Sequence, residues 1–240
     1  MKAILYVGHG TRSKTGAAEA RSFVQRVMER IHLPIQELAF LELTEPSIAE
    51  GFARCIEKGA TQISVVPLFL LAAGHIKEDI PQALAALKNT YPTVKVQVKD
   101  PFGIQSGLLD GLAELIRESA GDISRSDSIL IVGRGSSDAD LHPAFSKIAE
   151  GIRERLGTAS VSVCYLAAAS PRFDDGLRVI AEQTSGRVIV VPYLLFSGLL
   201  LAEVNQKVHQ MQKQGIEILH TGQLSKHHSI EDIIIKRASQ

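Results

Sequence analysis

Ile4-Leu5-Tyr6-Val7-Gly8-His9-Gly10 returns 125 positions later as Ile129-Leu130-Ile131-Val132-Gly133-Arg134-Gly135. The same shift lays Pro46 on Pro171, Gly51 on Gly176, and Val65-Val66-Pro67 on Val190-Val191-Pro192, with no gap from position 4 to past position 67. The quoted stretch is an apolar run closed by Gly-x-Gly, the pattern of a buried strand that ends in a tight turn. A repeat of this length is one folded unit laid down twice. Both copies keep the glycines, prolines and apolar strands that a fold requires. Three exchanges stand apart: His9 becomes Arg134, Glu42 becomes Ala167 and His75 becomes Leu200. The groups lost in the second copy are those able to bind a metal or move a proton. One active site is therefore expected, built mainly by the first copy.

Working outward, strand-like runs fall at 3–8, 35–42, 62–69 and 94–99, then at 128–133, 160–166, 187–194 and 216–221. Between them lie amphipathic segments of helical length. In 17–31, for example, Ala17, Ala20, Val24, Val27 and Ile31 recur every three to four residues. Alternating strand and helix, four times per half, predicts parallel sheets covered on both faces. Short right-handed crossovers then leave an α/β fold of two similar flavodoxin-like lobes, each a four-stranded parallel sheet with helices on both faces. The polar, aperiodic stretch from Gly121 to Ser128 is the expected linker. The expected domains are residues 1–124, an N-terminal lobe carrying the metal site, and 125–240, a degenerate repeat that closes the cleft.

The chain has 240 residues, of which 45% are hydrophobic and 22% charged, the balance of a globular protein. Its 26 basic and 26 acidic side chains cancel. No net field is left to recruit nucleic acid or an anionic membrane, and neither is expected as a partner. Two cysteines, Cys55 and Cys164, are too few for a disulfide framework or an iron–sulfur cluster, and their apolar contexts mark them as core. The start runs directly into a strand with no signal-peptide core, and no apolar run reaches the roughly 20 residues of a membrane span. A cytoplasmic location is expected.

Open parallel sheets collect ligands at the carboxyl ends of their strands. His9 follows the first strand, Glu42 ends the second and His75 follows the third in Leu71-Ala72-Ala73-Gly74-His75. Two imidazoles and a carboxylate make a partial ligand set for a divalent first-row metal, and equally a set of proton acceptors. Taken singly each also has a structural reading, as a backbone cap or a turn residue; their joint placement and joint loss favour chemistry. Gly8-His9-Gly10 opens like a dinucleotide loop, but the third glycine would fall at Ser13, and no G-x-x-x-x-G-K-[ST] occurs, so ATP-driven chemistry is unsupported. The helix start behind the loop still favours anions. Arg12, Lys14 and Arg134, with Ser136 and Ser137, are candidates to hold carboxylates. No serine sits in a G-x-S-x-G elbow. His227-His228 forms a pair in a polar segment that could collect a metal, although adjacency alone does not make a ligand set.

Ile4-Leu-Tyr-Val-Gly-His-Gly-Thr-Arg-Ser13, Phe40-Leu-Glu-Leu43, and Val66-Pro-Leu-Phe-Leu-Leu-Ala-Ala-Gly-His75 with Asp79-Ile-Pro81 resemble the class II tetrapyrrole chelatases of the CbiX/SirB group. Val132-Gly-Arg-Gly-Ser-Ser-Asp138 and Val191-Pro-Tyr-Leu-Leu-Phe-Ser-Gly198 are similar to the C-terminal half of its two-lobed members. The resemblance implies ATP-independent insertion of a divalent metal into sirohydrochlorin, in a cleft between two lobes, with His9, Glu42 and His75 as metal site and catalytic groups. It implies a pseudo-symmetric monomer, since single-lobe relatives work as homodimers. It implies no permanently bound cofactor; the metal is substrate, Fe2+ by preference and Co2+ as the alternative. The eight carboxylates of sirohydrochlorin would be met by Arg12, Lys14, Lys77 and Arg134. Two other classes remain open from the sequence. One is a carrier that binds the tetrapyrrole or metal without catalysis, and the other a periplasmic-type binding protein built of two α/β lobes.

Overall fold

The computed structural model describes residues 1–72, 74–157 and 160–240, with His75 described by its backbone only. Among the described residues eight strands alternate with eight helices. In the first half these are β1 (Lys2–Gly8), α1 (Lys14–Glu29), β2 (Gln36–Phe40), α2 (Ile48–Glu57), β3 (Gln62–Pro67), α3 (Ile80–Thr90), β4 (Lys95–Val98) and α4 (Ser106–Ala120). In the second they are β5 (Ser128–Gly133), α5 (Leu141–Leu156), β6 (Ser160–Tyr165), α6 (Phe173–Gln183), β7 (Val188–Tyr193), α7 (Leu199–Lys213), β8 (Ile218–His220) and α8 (His228–Ser239). A π-helical turn, His75–Asp79, precedes α3, and a 3-10 turn, Leu224–Lys226, precedes α8.

Two four-stranded, all-parallel sheets result, ordered β2-β1-β3-β4 and β6-β5-β7-β8. The fold class read from the alternation is the one observed. β1 is central in its sheet, with Val7 opposite both Ala39 and Pro67, and it is buried along its whole length after Lys2. Strands covered on both sides need continuous apolar sequence, which explains why β1, β5 and β7 read as unbroken hydrophobic runs. Alternate residues serve opposite faces. Ala3, Leu5 and Val7 join Ala39, Phe52, Cys55, Ile80 and Leu84 in one core. Their counterparts Leu130 and Val132 pack with Cys164, Phe173, Leu177, Val204 and Val208. Both thiols are free and buried, and burial pushes each up to about 12, so neither is a nucleophile at neutral pH. α2 begins with a capping box: the Glu50 amide donates to Ser47 Oγ while the Ser47 amide donates to the Glu50 carboxylate.

The compact units are not contiguous stretches. One comprises Met1–Gly103 and Glu231–Gln240; the other is Ile104–Ile230. The expected boundary between 124 and 125 therefore falls inside the second unit. α4, which follows β4 in the chain, packs on α5 and against β7 and β8. Most of α8, which follows β8, belongs with β1–β4, where Arg26 and Arg30 of α1 pair with Glu231 and Asp232. Each half has given its last helix to the other unit.

The expected linker is fastened within the second unit. Asp127 is buried and takes the Arg187 guanidinium at 2.7 Å, the Arg187 amide at 3.0 Å and the Ser124 amide at 2.9 Å. Arg187 also donates to the carbonyls of Ala120 and Asp122. The guanidinium holds the Asp127 carboxyl at about 2. Because the folded value lies below the unfolded one, the contribution is complete above about pH 4 and is lost as pH falls towards 2. Asp127→Asn is expected to lower the unfolding free energy by about 2 kcal/mol at neutral pH. In denaturant titrations the gap from wild type should close between about pH 4 and pH 2; a gap independent of pH would show that the pair is not its origin.

Candidate active site

In the first unit the chain leaves β1 towards β2 on one side, while β3 lies on the other, so the ends of β1 and β3 form a switch point. His9 sits immediately after β1. The loop carrying it is zipped to the loop after β2: the Leu41 amide donates to the Gly8 carbonyl at 2.9 Å and the Glu42 amide to the His9 carbonyl at 3.1 Å. One step further, the Thr11 amide donates to Thr44 Oγ1 at 2.9 Å, and that hydroxyl donates back to the Thr11 carbonyl at 2.9 Å. Gly10 makes the approach possible. Its φ is +93°, and a Cβ there would stand 1.7 Å from the Glu42 carbonyl oxygen. Leu43, at φ +60°, holds the left-handed conformation without the freedom of glycine, a local strain beside the acid.

This frame brings His9 Nδ1 within 3.6 Å of Glu42 Oε1 and within 3.2 Å of the Gly10 carbonyl oxygen. A carbonyl can only accept, so Nδ1 carries the proton in that contact, and in the neutral ring the lone pair is then on Nε2. The His9 side chain is 25% exposed and that of Glu42 50%, so both open to incoming ligand. The Phe69 ring lies 6.1 Å from the His9 ring, from the segment after β3. His75 opens the π-helical turn that follows Gly74; π-turns of this kind recur at functional sites. The His75 side chain lies outside the described residues. Arg12 and Lys14 are exposed beside His9, Lys14 as the first residue of α1, and Lys77 is exposed in the π-turn.

The second unit repeats the backbone without the imidazole and the carboxylate. Leu166 and Ala167 donate to the carbonyls of Gly133 and Arg134, and Gly135 at φ +92° would place a Cβ 1.6 Å from the Ala167 carbonyl oxygen. Ala168 matches Leu43 at φ +51°. Here the frame presents an exposed Arg134, a half-buried Ser136 that accepts from the Asp138 amide, and an exposed Ser137. Two of the residues singled out in the sequence, His9 and Glu42, stand together in the structure. Sequence reasoning did not find the Thr11–Thr44 clasp or Phe69, which hold and flank that pair. Their only trace was position, each just past a strand end.

The family model for CbiX matches residues 3–119 and again residues 128–240. The chain belongs to the CbiX family. It is 40% identical over 234 residues to the sirohydrochlorin ferrochelatase of Priestia megaterium, covering 98% of this chain and 88% of that relative. It is 30% identical over 246 residues to the sirohydrochlorin cobaltochelatase of the same organism, covering 100% of this chain and 80% of the relative. Among solved structures, SirB from Bacillus subtilis with Fe3+ superposes with a TM-score of 0.89 at 32% identity, over 99% of this chain and 94% of that one. The family matches each copy of the repeat separately, as the 125-residue shift requires.

Proposed function

We infer that this chain is a sirohydrochlorin ferrochelatase, a metal chelatase that inserts Fe2+ into sirohydrochlorin to give sirohaem without ATP. The observation that carries this reading is the 40% identity to a sirohydrochlorin ferrochelatase over nearly the full chain. His9, Glu42 and His75 are its metal-positioning and catalytic groups. Insertion exchanges one dication for two pyrrole N–H protons, so the site must hold a cation and accept protons in one place. Nε2 of His9 offers a lone pair, while Nδ1 is occupied by the Gly10 carbonyl and faces Glu42. Glu42 balances metal charge and passes protons to solvent, which its half-exposed side chain reaches. His75 completes the set from the third strand end. Imidazole, with an ordinary pKa near 6.5, suits both duties near neutrality.

Arg12, Lys14, Lys77 and Arg134 receive substrate carboxylates, the arginines by bidentate contact, with Ser136 and Ser137 as further donors. Exposed Leu43 supplies apolar surface for a tetrapyrrole face. The enzyme works as a cytoplasmic monomer with no resident cofactor and no membrane or nucleic-acid partner. Among the described residues no helix is long and apolar enough to cross a membrane. Cobalt insertion is the second reading, supported by the likeness to a cobaltochelatase; imidazole and carboxylate ligands do not separate Fe2+ from Co2+.

The test is anaerobic absorbance spectroscopy of sirohydrochlorin with Fe2+ or Co2+, with and without the protein. Insertion should accelerate over the protein-free rate, and faster with Fe2+. A faster rate with Co2+ reverses the metal assignment. Pigment binding with the rate left at background replaces the enzyme by a carrier.

A further inference from the structure

A second cluster of metal-ligating side chains lies within the Ile104–Ile230 unit, built by α4 and the segment that enters α8. Glu114 and Glu118 are four residues apart on α4, so they share one helix face. Like charges at that spacing repel. Among the described residues, neither glutamate pairs with a lysine or arginine. Facing them is His227, which follows the 3-10 turn. Its side chain is 2% exposed, yet Nε2 makes no hydrogen bond. Gly111, on the same face of α4, lets the segment lie this close: a Cβ there would meet Ser229 Oγ at 1.8 Å and His227 Nδ1 at 3.2 Å.

The other ring nitrogen is already engaged, since His227 Nδ1 lies 2.7 Å from Ser229 Oγ. With Nδ1 donating to that hydroxyl, Nε2 presents its lone pair to two carboxylates, an arrangement that calls for a cation between them. The distances say which kind. Nε2 stands 3.4 Å from Glu114 Oε2 and 3.7 Å from Glu118 Oε1. Those are long for hydrogen bonds. Two ligands bonded at about 2.0–2.2 Å to one tetrahedral ion stand about 3.3–3.6 Å apart. As their side chains stand, no three histidine, cysteine or carboxylate groups among the described residues are placed to hold a metal ion, so this cluster would become a site only when its glutamates move. Its glutamate side chains are 55% and 64% exposed and can swing inward.

We propose that His227, Glu114 and Glu118 form a binding site for a divalent first-row cation such as Zn2+ or Co2+, separate from the His9–Glu42 pair. One imidazole and two carboxylates suit such ions, with water or the exposed His228, whose ring is 4.5 Å from that of His227, in the remaining position. The ion fastens α4 to the entry of α8.

Calorimetric titration of the full chain with Co2+, read alongside the visible spectrum, tests the site. The background is His9→Ala with Glu42→Ala, which removes the other metal-binding pair. One Co2+ should remain bound, with the intense visible bands of four-coordinate cobalt. Glu114→Gln or Glu118→Gln, exposed changes that leave the fold intact, should weaken it at least about tenfold, and His227→Gln should abolish it. The proposal is overturned if the background variant binds no Co2+, which would leave a proton as the cation between the glutamates. It is overturned equally if binding survives Glu114→Gln and His227→Gln, or depends on His228 alone.

Discussion

His9→Ala is expected to lower kcat/KM for metal insertion by about 10²–10⁴-fold, the usual worth of a positioned acid–base group. The imidazole is held on both sides, its backbone carbonyl by the Glu42 amide and its Nδ1 by the Gly10 carbonyl. Glu42→Gln keeps the shape of the partner and removes its charge, so it should fall within the same range. The loss should appear in kcat and persist at saturating pigment, because neither group is proposed to hold the tetrapyrrole. Arg134→Ala, in the matching position of the other unit, should chiefly raise KM. Steady-state anaerobic assays separate these patterns. Wild-type kcat in either first-unit variant would remove that residue from the reaction.

Gly10→Ala should be nearly as damaging while deleting no functional group. At φ +93° an alanine costs about 1–2 kcal/mol in backbone energy alone. Its Cβ would in addition stand 1.7 Å from a carbonyl oxygen, which is backbone and cannot swing aside. The two loops must part, and the His9 carbonyl loses the Glu42 amide. A displacement of about 1 Å at the reacting groups is enough for a roughly 10²-fold loss. Gly135→Ala is the matched control, with the same φ and a 1.6 Å clash on Ala167. Denaturant unfolding should show a comparable loss of stability for both, of about 2 kcal/mol or more. Only Gly10→Ala should collapse kcat in the folded fraction. Equal loss of kcat in both would mean that the chemistry is shared between the units.

The sheets were legible because strands covered on both faces are built mostly of Val, Ile, Leu and Ala, as β1, β5 and β7 are. The candidate site was legible because the repeat supplies its own control: Arg134 and Ala167 occupy the frame that His9 and Glu42 occupy. The exchange of α4 and α8 was not legible. Both sheets offer the same kind of apolar face, so the periodicity of a helix reveals that it is covered but not by which sheet. The left-handed Leu43 was hidden for a different reason. Nothing in a leucine announces a positive φ, which is imposed by the pairing of Thr11 with Thr44 on one side and of Gly10 with Glu42 on the other. The π-helical turn at His75 falls between a strand and a proline-started helix, where local sequence allows several kinds of turn.

The traded helices also set a timetable for synthesis. Strands β1–β4 emerge from the ribosome first, but residues 231–240 of their unit are made only after the whole of the Ile104–Ile230 unit. At roughly 5–20 residues per second, the earliest sheet waits on the order of ten seconds without the helix that pairs with α1. The Ile104–Ile230 unit, begun later, has all its parts earlier. The unit bearing His9 and Glu42 is thus the last to be finished, and a nascent chain cannot complete that unit before its final helix is free of the exit tunnel.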